Sequence, residues 1–299
     1  MLNKIVCIDK TNLQPWAIQQ LQELCTSPIS VYEDYPGSAA ETIQRIGDAD
    51  GIFVSWHTPV DAVVLQQAPN LRYIGMCCSL IDKNSSNVDV TTAESLGIEV
   101  RGVKDYGDEG VVEFLFAQLI SLAKGLHQQQ WKSYPTELKG KSLGIIGLGT
   151  LGKMVADVAL VFGMQVYYYS RTRKPDLESE RLVYLPLHDL LARAEVITTH
   201  LPRNIRILGS REFRLIKPNS ILINTSLGPT YSIEAFESWI GEPNNFAIMD
   251  ADGAEGYVDL YRRYDNVLLK EQVAGMTDGA YTRLSEKVVR NIIDFCTHH

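Results

Sequence analysis

The sequence contains no apolar run of about eighteen residues, so a membrane-spanning helix is not expected. It has no basic excess either: 28 Lys and Arg stand against 36 Asp and Glu, a formal net charge of −8. A general nucleic-acid binder needs the opposite balance to neutralise phosphates, so that class is set aside. Cysteine is sparse, and its five residues (Cys7, Cys25, Cys77, Cys78 and Cys296) form no C-x-x-C pair. That spacing argues against a structural metal site, and the odd count suits reduced thiols. The adjacent Cys77-Cys78 pair reads first as two buried small apolar side chains, with a redox pair as the alternative. No internal repeat or low-complexity segment is visible. The opening Met1–Cys7 reads as a strand and lacks the features of a secretory leader, so a cytoplasmic protein is expected. In that setting the Asn84-Ser85-Ser86 glycosylation pattern has no consequence.

What is present is an ordinary globular composition, 45% hydrophobic and 21% charged over 299 residues, which is enough chain for two domains. Strand and helix patterns alternate throughout, predicting an α/β fold with parallel sheets and crossover helices. Strands are expected at Lys4–Asp9, Ile29–Tyr32, Gly51–Ser55, Leu71–Met76 and Ile98–Val103, with helices at Trp16–Cys25 and Ala39–Ile46. The stretch Gly110–Leu126 is apolar almost throughout. A helix of that kind is buried on most sides, which points to a domain junction or subunit interface and to a homodimer. Gln128–Lys139 is polar, contains Pro135, and reads as a linker or extended loop. A second α/β unit starts at Lys141, with strands at Ser142–Gly147, Gln165–Ser170, Val196–His200, Ser220–Asn224, Phe246–Asp250 and Asn266–Leu269. An amphipathic helix over Asp278–Cys296 closes the chain.

The strongest motif is Gly147-Leu148-Gly149-Thr150-Leu151-Gly152. An apolar strand, Ser142–Ile146, runs into it, and Lys153–Phe162 follows with helical spacing. That context turns a weak glycine pattern into a dinucleotide fingerprint. Gly147 permits the tight turn, Gly149 lets backbone approach a pyrophosphate, and Gly152 allows close helix–strand packing. The helix N-terminus then offers free N–H groups and a positive dipole end to the phosphates. At the end of the next strand an NAD-binding protein places an Asp or Glu on the ribose hydroxyls. Here the strand ends in Ser170-Arg171-Thr172-Arg173-Lys174, with no carboxylate and two guanidinium groups suited to a 2′-phosphate. NADP(H) is therefore expected over NAD(H). A solvated basic turn is the plain alternative.

From these residues onward the sequence resembles the D-isomer-specific 2-hydroxyacid dehydrogenases, over nearly its whole length. Gly144–Gly152 looks like the family's nucleotide motif, and His200-Leu201-Pro202 like its strand end beside the cofactor. Ile216–Ser226 follows the family's strand into its arginine-bearing loop, and Ala274-Gly275-Met276-Thr277 resembles the segment after its histidine. Ser170-Arg171-Thr172 is similar to the NADPH-using glyoxylate and hydroxypyruvate reductases. The resemblance implies two Rossmann-like domains with doubly wound parallel sheets. Residues 103–275 would be a nucleotide domain inserted into a flavodoxin-like substrate domain of residues 1–102 and 276–299, with a small-molecule substrate held between them. It also implies cofactor contacts from the glycine turn, His200, Leu201, Pro202, Thr225, Ser226 and Asp250.

The same resemblance implies an unusual active site. The family's arginine position holds Leu227, its histidine position holds Gln272, and Glu255 matches its glutamate. A glutamine supplies no proton, and a leucine holds no carboxylate. The family's glycine-rich carboxylate loop is replaced by the longer, glycine-free Cys77–Asn87. Candidate catalytic residues are then Glu255, Gln272, Lys270 and His57, the last of which follows the Gly51–Ser55 strand. A solvated loop carboxylate, a solvated lysine and a surface histidine are the plain alternatives for Glu255, Lys270 and His57. Two functions follow: an NADP(H)-dependent oxidoreductase acting on a small carbonyl or imine, or a catalytically inactive NADP(H)-binding regulator.

Overall fold

In the computed structural model, residues 1–80, 83 and 86–298 are described. Ile81, Asp82, Asn84, Ser85 and His299 lie outside the described residues, so part of the Cys77–Asn87 segment and two of the three residues of the Asn84-Ser85-Ser86 pattern fall there. The elements run β1 (Ile5–Cys7), α1 (Pro15–Gln22), β2 (Ser30–Val31), α2 (Ala39–Ile46), β3 (Gly51–Val54), α3 (Ala62–Gln66), β4 (Tyr73–Ser79), α4 (Val90–Ser95) and β5 (Glu99–Val103). Then come α5 (Asp108–Lys124), β6 (Ser142–Ile146), α6 (Thr150–Val161), β7 (Gln165–Tyr169), β8 (Leu182–Tyr184), α7 (Leu187–Arg193) and β9 (Val196–Thr199). The chain finishes with α8 (Ser210–Phe213), β10 (Ile221–Asn224), α9 (Ile233–Ile240), β11 (Phe246–Met249), α10 (Val258–Tyr261), β12 (Val267–Leu269) and α11 (Asp278–His298). Among the described residues no helix is long and apolar enough to cross a membrane.

The chain divides into two compact units, Met1–Tyr106 with Thr277–His299, and Gly107–Met276. In the first, five parallel strands take the order β2-β1-β3-β4-β5, the flavodoxin-like arrangement. A parallel sheet covered on both faces needs strands without a polar side, and β1 and β3 are buried at every residue. Successive side chains part to opposite faces. Val6, Ile52, Ile74 and Cys78 join one apolar layer with residues of α2, α3 and α4. Ile5, Cys7, Tyr73 and Cys77 join the other with residues of α1 and α11. Cys77 and Cys78 therefore serve different layers as small apolar side chains. Burial raises both thiols above their ordinary range, so neither is a ready nucleophile.

In the second unit seven parallel strands take the order β12-β11-β10-β9-β6-β7-β8. Counted from β6 this is the doubly wound 3-2-1-4-5-6 order with a seventh strand added. One layer packs α5 and α6 on the sheet, and the other packs α7 and α9. The order reverses between β6 and β9, and the crevice outside the carboxyl ends of strands at such a point is where open α/β sheets bind ligands. Helix α5 buries Val112, Leu115, Phe116, Leu119 and Leu122 and ends at Gly125, whose φ of 64° is the left-handed stop that glycine favours.

Three features differ from the sequence expectation. Gln128–Lys139, read as a linker or extended loop, is a loop without helix or strand, but it lies within the second unit and does not link the two: Trp131 and Leu138 are buried in that unit's core, and the Trp131 indole donates to the Asn219 carbonyl (2.8 Å). Its two apolar anchors were outweighed by its polar majority. Helices α3, α4, α7, α8, α9 and α10 were not predicted, because most are too short to show a period. Strand β8, three residues long, was missed for the same reason.

Candidate nucleotide and active site

The turn after β6 is built by three glycines with different constraints. Gly147 has φ +102°, and a Cβ there would sit 2.2 Å from the His200 carbonyl oxygen. A Cβ on Gly152 would sit 2.2 Å from the Gly147 oxygen, so the first turn of α6 rests directly on the strand end. At Gly149 a Cβ would meet nothing within 4 Å, and no side chain caps the N-terminus of α6. The N–H groups around Thr150 and Leu151 thus stand at an open helix end, the arrangement that binds an anion. The Leu148 N–H donates to Ser170 Oγ (2.8 Å), which ties the turn to the end of β7.

At that end the two arginines part. The sequence offered no carboxylate here, but the fold brings back Glu178. Arg173 donates to it from Nε and Nη2 (2.7 Å each) and lies over the Tyr184 ring. The arrangement is closed by Tyr168, whose hydroxyl donates to Glu178 and accepts from the Lys174 N–H (2.8 Å each). The Arg173 guanidinium holds Glu178 below the usual carboxylate range, so the pair is charged. Arg171 and Thr172 are exposed, and among the described residues the Arg171 side chain makes no hydrogen bond or ion pair.

The ends of β9, β10 and β11 meet around Asn224. Its Oδ1 accepts from Thr199 Oγ1 (3.0 Å) and the Ser226 N–H (3.3 Å), and its Nδ2 donates to the Gly228 and Gly253 carbonyls (3.0 Å each). Ser226 Oγ donates to the Thr199 carbonyl and accepts from the Leu201 N–H. Two buried polar atoms here, His200 Nδ1 and Thr225 Oγ1, have no partner among the described residues. Burial lowers the His200 imidazole to about 4, so the ring is neutral, and its Nε2 shares a hydrogen bond with Thr198. Asp250 is buried at the end of β11 and accepts from the Gly253 N–H (2.8 Å) and the Ala274 N–H (2.9 Å). Both of its oxygens thus hold backbone. Pro202 follows β9 and leads to Arg203.

Arg203 Nη2 donates to both oxygens of Glu255, at 2.5 Å to Oε2. A Cβ placed on Gly228 would lie 3.9 Å from that same oxygen, so the pair stands beside the Leu227–Gly228 loop. Glu255 is thus an ion-paired loop carboxylate whose side chain is 41% exposed. Gln272 is exposed, but its carbonyl accepts from the Ala251 N–H (3.1 Å), which fixes it to the same turn. Lys270 bonds through its backbone to the Met249 carbonyl (2.9 Å), and its amine makes no hydrogen bond or ion pair among the described residues. Leu227 is 37% exposed. The sequence reading missed Arg203, and Asp252, whose carbonyl accepts from the Gly228 N–H (2.9 Å).

In the first unit, the His57 ring packs at a tilt against Tyr35 (4.5 Å) and Trp56 (4.0 Å), just past β3. The turn that carries it is pinned by the fully buried Asp9, which accepts from the Ser55 N–H (2.8 Å), Ser55 Oγ (2.7 Å) and Thr58 Oγ1 (2.5 Å). His57 is exposed and belongs to this first unit, whereas Glu255, Gln272 and Lys270 belong to the second.

Residues 112–249 match the family model described as D-isomer specific 2-hydroxyacid dehydrogenase, NAD binding domain. The chain is 30% identical over 281 residues to a glyoxylate reductase of Thermococcus litoralis, covering 85% of this chain and 82% of that protein. It is 31% identical over 281 residues to one of Thermococcus gammatolerans, covering 85% and 81%. The chain belongs to the D-isomer specific 2-hydroxyacid dehydrogenase family. Among solved structures it is similar in fold to an acyclic imino acid reductase in complex with NADPH and D-Arg, with a TM-score of 0.84, 24% identity, and 99% and 97% of the two chains covered. In this family member the matched residues lie within the unit that holds the glycine turn. The open position at Gly149, the uncapped α6 and the unpartnered polar atoms at the switch point fit a nicotinamide dinucleotide.

Proposed function

We propose that this protein is an NADP(H)-dependent oxidoreductase that reduces a small carbonyl or imine compound. The observation that carries the reading is the pairing of an open, uncapped helix N-terminus at Gly149 with an exposed, unengaged Arg171 at the neighbouring strand end. The first suits the pyrophosphate, and the second a 2′-phosphate. The other turn and strand-end residues take the parts implied by the family likeness, with Ser170 holding the glycine turn and Arg173 holding the loop through Glu178. A homodimer through α5 belongs to the same reading.

Bound NADPH would supply a hydride to the carbon of a C=O or C=N bond. By the family likeness, Leu227 and Gln272 would take the places of the family's arginine and histidine around that carbon. A charge-assisted hydrogen bond contributes about 1.5–3 kcal/mol, and Leu227 offers none to a substrate carboxylate. General acid catalysis contributes roughly 10²–10⁴-fold, and Gln272 cannot provide it. A substrate lacking a 2-carboxylate at this position therefore suits the site better than a simple 2-oxo acid does. Glu255, held by Arg203, would be the carboxylate that the family likeness implies, with Lys270 and His57 as further candidates to meet a substrate. The same two replacements favour a second reading, an NADP(H)-binding regulator without chemistry.

Single-turnover oxidation of bound NADPH, followed by absorbance against 2-oxo acids, aldehydes and imines, separates these readings. Oxidation by uncharged carbonyls or imines is the expected result. Oxidation by glyoxylate or hydroxypyruvate would return the site to the family's ordinary substrates. Tight binding with no oxidation would leave the regulator.

A further inference from the structure

The turn after β11 brings one carboxyl into a position that neither the sequence motif nor the family match singles out. The Asp252 carbonyl accepts from the Gly228 N–H (2.9 Å), and the adjacent Ala251 N–H donates to the Gln272 carbonyl (3.1 Å). Asp252 is thus fixed by backbone between the loop of Leu227 and the segment of Gln272. Its own carboxyl makes no hydrogen bond or ion pair among the described residues, although the residue is half-buried. Arg203, the cation that acts on it, has its Nη2 bonded to both oxygens of Glu255. Asp250, two residues earlier, has each oxygen on a backbone N–H. Of the three carboxyl groups on this turn, Asp252 alone has no direct partner among the described residues.

We propose that the Asp252 carboxyl is the proton donor of this site, taking the part that an imidazole at position 272 would play. The proposal rests on the oxidoreductase reading above. As the carbon of the C=O or C=N bond is reduced, the π-electron pair moves to oxygen or nitrogen, and that atom takes the Asp252 proton. An O–H or N–H bond forms, Asp252 is left as a carboxylate, and it regains a proton from water. Such a donor must be protonated near neutral pH, which an ordinary aspartate is not. Burial, with the charges of Asp250 and Glu255, pushes Asp252 up to about 7, against the pull of Arg203. The other segments against this turn add little to that balance. The Ser226–Gly228 loop carries no titratable side chain, and beside Gln272 stand Lys270 and Glu271, the latter paired with Arg262 (3.1 Å).

The test compares wild type with Asp252→Asn, which keeps shape and removes the acid. Three measurements are needed: NADPH affinity, the pH profile of single-turnover NADPH oxidation with whichever aldehyde or imine the wild type accepts, and carbon NMR titration of the aspartate carboxyls. The expected result is unchanged NADPH binding, a roughly 10²–10⁴-fold slower turnover, and loss of the inflection near neutral pH from the profile. The wild-type spectrum should hold one aspartate carboxyl titrating near neutral pH that the variant lacks. Unchanged turnover in the variant, or Asp252 titrating in the ordinary carboxylate range, overturns the proposal and leaves the oxidoreductase reading standing. Wild type that binds NADPH but oxidises it with no compound removes that reading and this role together. Asp252→Glu keeps the acid, and partial recovery of rate with an inflection still present separates proton donation from a packing defect.

Discussion

Arg171 and Arg173 are two residues apart in a basic turn, and only their surroundings assign them different work. Arg173 is anchored to Glu178 and Tyr184, while Arg171 is exposed and unengaged. Arg171→Asp should therefore weaken NADPH by roughly 10–100-fold, the equivalent of about 1.5–3 kcal/mol from a lost charge-assisted contact, and leave NADH nearly unchanged. Arg173→Ala should loosen the loop and weaken both cofactors alike. Titrating each variant with both nucleotides by fluorescence decides this; equal losses for Arg171→Asp would sink the assignment. The sequence suggested both arginines because it shows charge and spacing. The bidentate partner was illegible, since Glu178 returns only after the chain has turned at Pro175–Leu177. Arg203 and Asp252 were hidden for a similar reason: neither lies in a motif, and their proximity to Glu255 and Gly228 exists only once the ends of β9, β10 and β11 are side by side.

At the scale of elements, α5 shows how far an apolar run can be read. The sequence predicted a helix buried on most sides, and one face does fill the core of the second unit with Leu115, Leu119 and Leu122. Other positions stay open, including Ala117, with Phe114 and Ile120 only partly covered. Phe162, which stacks on Phe116 with ring centroids 5.5 Å apart, is 39% exposed, and its neighbour Val161 is 87% exposed. The homodimer proposed through α5 would cover these exposed apolar side chains of α5 and of the end of α6. Sedimentation at micromolar concentration should then show a dimer, and Val161→Asp should shift it to monomer with little change in Tm. A monomeric wild type would end the idea. Helix α5 was legible because its apolar pattern runs for seventeen residues up to Gly125, and β6 because its apolar run leads directly into the glycine turn and the helical spacing of α6. Helices α8 and α10, four residues each, leave no period to detect, and their formation depends on packing against α9 and the sheet.

At the scale of the molecule, chain order and spatial order disagree, and that disagreement has consequences. The second unit is one continuous stretch, Gly107–Met276, whereas the first needs α11 from the far end of the chain. Helix α11 contributes Leu284, Val288, Val289, Ile292 and Phe295 to the layer that covers Ile5, Phe53 and Tyr73. It also serves polar backbone: Ser285 Oγ accepts from the Gln14 N–H (2.9 Å), and Asn291 Nδ2 donates to the Gly102 carbonyl (3.1 Å). Five such apolar side chains contribute on the order of 7–15 kcal/mol by burial, as much as the entire stability of a typical domain. A chain ending at Met276 should therefore lose the first unit's unfolding transition in calorimetry. The second unit should keep its own, because both of its apolar layers are built from residues 107–276. That remaining transition should also rise with NADPH, by about 2.7 kcal/mol at a hundredfold excess over Kd. A truncated chain in which both transitions vanish would show that the second unit does not fold alone. One in which both survive would show that α11 is dispensable. Either result would contradict a nucleotide-binding unit that folds by itself and a first unit that depends on the last helix to close its sheet.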